Sequence, residues 1–268
     1  MAIEAFAIDL DGTLLVGEDI HPANIKAIQR AKAAGIHVMI ATARWSHIAR
    51  RIGAELGIND LIVCCSGAQV HDPATGLDVF DHRLPADFTA ALFAICNEER
   101  CVATVTFDDH VEVKMDGDGS NFAGLGDEMS FTPQLSAKLD NPPRIAAIQG
   151  SGCVARIRAE LGDVFAQTVN IFDSIGPTGK IIITITAKAA TKGAALNAAC
   201  AHLGITSVEV AAFGDAENDI EMFKAAGHAV AMGQADALTK EAATFVSLPH
   251  DEGGVAHAID RILTTGGL

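Results

Sequence analysis

Short, continuous apolar runs alternate along the chain with stretches whose apolar residues recur every three or four positions. The first run, "IEAFAI" at residues 3–8, is followed by "PANIKAIQRAKAA". Here Pro22 suits a first helical turn, Ile25 and Ile28 supply an apolar face, and Gly35 stands just past the end. A second run, "HVMIAT" (37–42), precedes the helical "SHIARRIGAELG", which closes at Gly57, and a third, "LIVCCSG" (61–67), comes next. Apolar runs of this length separated by helices predict strands buried on both faces of a parallel sheet.

From about residue 82 the pattern changes. "CVATVTF" and "HVEVKM" flank Asp108 and Asp109 as a hairpin would, and "RIAAIQG", "FAQTVNIF" and "KIIITIT" add strand candidates. From "TKGAALNAACAHLG" (191–204) the strand and helix alternation returns through "VEVAAFGD", "HAVAMG" and "TFVSL", ending in an amphipathic helix near 253–263. The expectation is an α/β protein: a Rossmann-like parallel-sheet core, residues 1–82 and 186–268, with an α+β domain inserted at 83–185.

Composition narrows the function. A chain of 268 residues with 49% hydrophobic content can bury one large core or two smaller ones. Acidic residues outnumber basic ones 34 to 19, a formal charge of −15 that repels phosphate backbones and anionic membranes, so neither nucleic acid nor membrane is an expected partner. Glu4, Asp9 and Asp11 stand where a signal peptide needs an apolar core, and no later run approaches the ~20 apolar residues of a span, which predicts a cytoplasmic protein. The six cysteines form no CxxC pair and read as buried reduced thiols rather than a zinc site or disulfide framework. The ten histidines are scattered, with no HxH or HExxH.

Candidate chemistry collects at the predicted strand ends, where open parallel sheets bind ligands. The first strand ends in Asp9 and Asp11, the second in Thr42 and Arg44, the third in Ser66, and "VEVAAF" runs into "GDAEND" with Asp215, Asn218 and Asp219. Each has a plainer reading alone, since DxDG is a common turn and Thr42 or Asp215 can cap a helix. Together at one sheet edge they predict a site. Clustered carboxylates raise one another's pKa unless a cation lies among them, and hard oxygen donors at an open site suit Mg2+. Lys192, at the start of a predicted helix, adds positive charge, while the Thr42 hydroxyl and the backbone N–H groups after Asp9 can hold phosphoryl oxygens. Phosphoryl transfer needs this combination of positioning and charge neutralisation.

The segments "DLDGTLL", "ATAR", "TKG", "GDAENDIEMF" and "DEGGVAHAID" together resemble the haloacid dehalogenase-like hydrolase superfamily, in its Cof-like branch of phosphatases with a large α+β cap. The resemblance implies that Asp9 is the nucleophile forming an aspartyl-phosphate and that Asp11 moves protons as general acid and base. It implies Mg2+ held by the Asp9 side chain, the Asp11 main-chain carbonyl and Asp215, with Asp219 either a ligand through water or an anchor. Thr42 and Lys192 hold the phosphate, with Leu10, Ala43, Arg44 and Asn218 assigned to the same phosphate and substrate side. The inserted domain becomes a lid that excludes water and adds specificity residues. The implied partner is a small phosphorylated metabolite, with sugar phosphates the commonest guess, acted on by a monomer or small homo-oligomer. The chain departs from the family pattern at Ala43, where TGR is usual, and at Ser66-Gly67, where Asn-Gly is usual, which bears on substrate preference.

Other readings are weaker. Asp116, Asp118, Ser120 and Asp127 occupy calcium-loop positions one, three, five and twelve, but Asn121 replaces the Gly of the sharp turn and Asp replaces the terminal Glu, so an acidic loop is expected. Trp45 either lines the entrance or packs. A phosphosugar mutase of the same superfamily would need a second phosphate grip, and residues 86–185 hold seven basic against fourteen acidic side chains. A phospho-accepting signalling module would end its third strand in Asp, where this chain has Ser66. A nucleotide-binding module would need a GxGxxG that does not follow the first strand.

Overall fold

The first expected strand, residues 3–8, forms over Ala5–Ile8 as an inner strand of a sheet in the computed structural model, which describes residues 2–108, 110–115, 129–138, 140–175 and 181–268. The first part of the chain forms β1 (Ala5–Ile8), β2 (Leu15–Val16), β3 (Asp19–Ile20), α1 (Pro22–Ala33), β4 (His37–Ala41), α2 (Ser46–Glu55), β5 (Ile62–Cys64), β6 (Gln69–Asp72) and β7 (Leu77–Asp81). The middle forms α3 (Ala86–Glu98), β8 (Val102–Thr106), β9 (Val111–Lys114), β10 (Met129–Thr132), β11 (Ile145–Gln149), α4 (Ser151–Leu161), β12 (Val169–Ile175) and β13 (Ile181–Ala187). The last part forms α5 (Lys192–Leu203), β14 (Val210–Gly214), α6 (Ile220–Ala225), β15 (His228–Ala231), α7 (Ala237–Ala242), β16 (Phe245–Val246) and α8 (Gly254–Thr265).

Two compact units result, residues 1–80 with 191–268, and residues 81–190. The division lies a few residues from the 82/83 and 185/186 boundaries expected from the sequence, because β13 runs to Ala187 as part of the inserted sheet. The first unit holds an eight-stranded sheet in the order β16-β15-β14-β1-β4-β5-β6-β7. β1 pairs in parallel with both β14 and β4, with Ile8 opposite Phe213 on one side and Ile40 on the other. The residues just after these three strands therefore leave the sheet at one edge.

The two faces of this sheet differ in side-chain size, and that difference sets the helix distances. Phe6, Ile8, Val38, Ile40 and Phe213 pack with α1, α2 and α8, and the Phe6 and Phe213 rings meet edge to face with centroids 5.5 Å apart. Ala5, Ala7, Ala41, Ala212, Ala229 and Ala231 face α5 and α6, where Ala195 and Ala199 are fully buried. Small residues on both surfaces let α5 lie close to the sheet. Thr191 caps that helix by accepting from the Ala194 N–H (3.1 Å), so Lys192 is its first residue.

The third expected strand, 61–67, is shorter than its apolar pattern. Its pairing ends at Cys64, and Cys65 and Ser66 then adopt left-handed backbone angles (φ 53° and 55°). The chain reverses into β6, antiparallel to β5, and on into β7, two strands absent from the sequence reading.

The inserted unit carries a six-stranded sheet in the order β10-β9-β8-β11-β13-β12. β8 and β9 form the expected hairpin, with Thr106 opposite Val111. Helices α3 and α4 bury Phe88, Leu92, Cys96, Ile157 and Leu161 against Ala103, Val105, Ala146, Ile148, Ile183 and Ile185. "FAQTVNIF" becomes strand only from Val169, since Phe165 and Val169 continue the helical turn after Leu161. The acidic loop considered for calcium, residues 116–127, and Asp109 lie outside the described residues. All six cysteines are buried and free. Among the described residues no helix is long and apolar enough to cross a membrane.

Candidate active site

β1 delivers Asp9 to the sheet edge with its backbone tied to the neighbouring strand, the Asp9 N–H donating to Phe213 O (3.0 Å). The next turn reverses the chain so that Leu14 and Leu15 are buried again. Asp9 and Asp11, two residues apart, consequently occupy unlike environments: Asp9 is 5% exposed, and the Asp11 side chain is 54% exposed.

Asp9 Oδ1 accepts from Lys192 Nζ at 2.6 Å, and the same ammonium donates to Asp219 Oδ1 at 2.7 Å. Both ion pairs are almost fully buried. The other oxygen of Asp219 accepts from the backbone N–H groups of Asp215 (3.0 Å) and Ala216 (3.2 Å). Asp219 thus anchors both Lys192 and the turn after β14, with its oxygens already engaged. Asp215 stands nearer the surface and accepts from the Thr13 hydroxyl at 3.4 Å. Oxygens of Asp9, Asp215 and Asp219 lie within 4.8 Å of one another.

The cluster carries more anionic than cationic charge. Burial drives Asp9 well above the usual carboxylate range; Lys192 opposes the shift, and Asp219 and Asp215 reinforce it. Asp215 is pushed up to about 6, by burial first and by Asp219 second. Burial alone would lower the Lys192 pKa, but Asp219 and Asp9 outweigh it and hold the ammonium charged. With all four groups ionised, three carboxylates against one ammonium leave two negative charges in a largely buried space. A divalent cation cancels them, and carboxylate donors suit a hard one. Gly12 leaves room at this point: it has φ +77°, and a Cβ there would collide with the Asp215 carboxylate.

Thr42 and Arg44 leave the adjacent strand β4. Thr42 is fully buried, and its Oγ1 accepts from the Arg44 N–H at 3.1 Å, which fixes the turn. Ala43 is exposed between them. Arg44, expected on the substrate side, is engaged by carboxylates: Nη2 donates to Asp11 Oδ1 (2.7 Å), Nε to Asp11 Oδ2 (3.0 Å), and Nη1 and Nη2 to Glu18 (3.2 and 3.1 Å). Asn218 is partly exposed on the turn after β14, and Leu10 is buried behind Asp9. Trp45 precedes α2, and its Nε1 is buried without a partner among the described residues.

The segment 65–67 ties the parts together. The Cys65 N–H donates to Arg44 O (2.9 Å) and the Ser66 N–H to Thr42 O (3.1 Å), while Gly67, at φ +90°, lies so close to Thr191 and the Lys192 nitrogen that a Cβ would overlap them. One contributor went unread in the sequence. Gln234 Nε2 donates to Gly12 O (2.5 Å), and Gln234 Oε1 accepts from the His250 N–H (3.0 Å). The available signal was positional: once β15 lies beside β14, the residues that follow Met232 must emerge at the same edge.

The haloacid dehalogenase-like hydrolase family matches residues 6–259. The 5-amino-6-(5-phospho-D-ribitylamino)uracil phosphatase YwtE of Bacillus subtilis is 30% identical over 288 residues, covering 98% of this chain and 99% of the relative. The phosphoglycolate phosphatase of Archaeoglobus fulgidus is 28% identical, covering 96% and 95% respectively. Among solved structures, a haloacid dehalogenase-like hydrolase from Bacteroides thetaiotaomicron superposes with a TM-score of 0.81 at 25% identity, covering 97% of this chain and 99% of that one.

Proposed function

Because the chain belongs to the haloacid dehalogenase-like hydrolases and is a phosphoric monoester hydrolase, we infer that it is a Mg2+-dependent phosphatase of small phosphorylated metabolites, with sugar phosphates the first class to test. The observation that carries this reading is the buried Asp9 carboxylate, hydrogen-bonded to Lys192 and grouped with Asp215 and Asp219 at the end of β1. The two relatives quoted above are named for a phosphoribityl compound and for phosphoglycolate, both small phosphate monoesters.

Asp9, Asp215 and the main-chain carbonyl of Asp11 would hold the ion. When bound, Mg2+ neutralises phosphoryl charge and favours the ionised form of Asp9. The Asp9 carboxylate attacks phosphorus, and the bond from phosphorus to the leaving oxygen breaks as Asp11 donates a proton to that oxygen. Asp11 then takes a proton from water, which cleaves the aspartyl-phosphate and restores Asp9. Lys192 keeps one Asp9 oxygen fixed throughout. Arg44 holds the Asp11 carboxylate by three hydrogen-bonded contacts, so Asp11 must leave Arg44 before it can act as an acid.

Purified protein is expected to release inorganic phosphate from an aryl phosphate in the presence of Mg2+ and to stop on addition of a chelator. Asp9→Asn is expected to lose turnover by about a thousandfold or more. Turnover retained in Asp9→Asn overturns the mechanism, and a panel of phosphorylated metabolites then ranks substrates for the active protein.

A further inference from the structure

Away from the carboxylate cluster, the inserted unit gathers three cysteines that are far apart in sequence. Cys96 lies near the end of α3, Cys101 immediately precedes β8, and Cys153 is in the first turn of α4. Cys96 and Cys153 are fully buried and Cys101 is 7% exposed. The three sulfurs lie within 4.8 Å of one another, and those of Cys96 and Cys153 are 3.9 Å apart. We propose that Cys96, Cys101 and Cys153 form a binding site for a soft divalent metal ion of the Zn2+ class, held as a three-thiolate centre inside the inserted unit.

The size of the triangle is the first argument. Metal–sulfur bonds of about 2.3 Å in tetrahedral geometry separate two thiolates by about 3.8 Å, so the sulfurs need to move little to converge on one ion. Charge is the second. Lys114 is 3% exposed, and its ammonium donates to Glu99 O at 2.8 Å and approaches Cys101 Sγ at 3.8 Å. Among the described residues its partners are that carbonyl and that sulfur and no carboxylate, although a buried ammonium is costly without a nearby anion. A thiolate at Cys101 supplies that anion. Three thiolates and this ammonium sum to two negative charges, which a divalent ion neutralises. Helix geometry is the third: Cys153 is the third residue of α4, an eleven-residue helix whose N-terminal partial positive charge favours a thiolate. Sulfur donors select soft ions over Mg2+, so this site and the carboxylate cluster would not compete for the same metal.

The test uses the full-length reduced protein, stripped of metal and kept in excess Mg2+, titrated with Cd2+. The expected result is sulfur-to-metal charge-transfer absorption, which carboxylate ligands do not give, saturating at one Cd2+ per chain and reversed by competing Zn2+. Cys96→Ser and Cys153→Ser are expected to weaken binding about tenfold or more, and Cys200→Ser to leave it unchanged. No absorption in the unsubstituted protein, or absorption that persists in the Cys96→Ser, Cys153→Ser double variant, overturns the site. If the serine variants do not fold, the unsubstituted protein decides: Cd2+ slowing modification of three of its six thiols supports the centre, and an unchanged modification rate overturns it.

Discussion

Gly12 marks the point where the turn after Asp11 comes closest to Asp215, and its backbone lies in the left-handed region. Gly12→Ala must both strain that turn, by roughly 1–2 kcal/mol, and displace the Asp215 carboxylate. The expected outcome is a Mg2+ requirement raised about tenfold with a smaller loss of turnover at saturating metal; an unchanged metal dependence contradicts the role given to Asp215. At this scale the acidic residues were readable because DxDGT and GDxxND place carboxylates directly after apolar strands. The partnerships were not. Nothing local in the sequence says that Lys192 bonds Asp9 and Asp219, or that Arg44 turns to Asp11 and Glu18, since these contacts join residues 26 to 183 positions apart. Gln234 was missed for the same reason.

Among the elements, α5 determines where Lys192 sits, and small residues beneath it determine where α5 sits. Ala199 is fully buried against the alanine-rich face of the sheet, so Ala199→Leu inserts volume with no space to receive it. A loss of about 1–3 kcal/mol in stability is expected, together with a fall in turnover as Lys192 shifts away from Asp9. Full activity at reduced stability would show that the helix position does not set the site. The strands that carry the site were legible as continuous apolar runs, since both their faces are covered. β7 was not, because none of its five residues, Leu77 to Asp81, is buried and its exposure follows no alternation. The early end of β5 was also hidden: Cys65 and Ser66 take left-handed angles without the glycine or asparagine that usually signals them.

At the level of the whole molecule, a chain with a formal charge of −15 concentrates three carboxylates in one buried cluster, and this gives stability a defined pH dependence. Asp215 titrates near 6 in the folded protein against 3.8 for an ordinary aspartate, and Asp9 is shifted in the same direction. The folded state therefore binds these protons more tightly than the unfolded chain. The contribution of Asp215 is greatest below about pH 4 and is lost as pH rises through about 6. Mg2+ is expected to restore what is lost, raising Tm more at about pH 7.5 than at about pH 5. An equal gain at both pH values contradicts a cation among these carboxylates. The division into a core and an insertion was visible as a change of apolar pattern, whereas the meeting of Cys96, Cys101 and Cys153 depends on how α3 and α4 pack on the inserted sheet.

The proposed chemistry requires a bond between Asp9 and phosphorus, and the most direct measurement of it is acid quenching during turnover followed by peptide mass mapping. The expected result is a phosphoryl adduct on the peptide containing Asp9, formed with Mg2+ and absent in Asp9→Asn. Steady turnover with no adduct in an active, substrate-saturated sample, or an adduct on another residue, would contradict it.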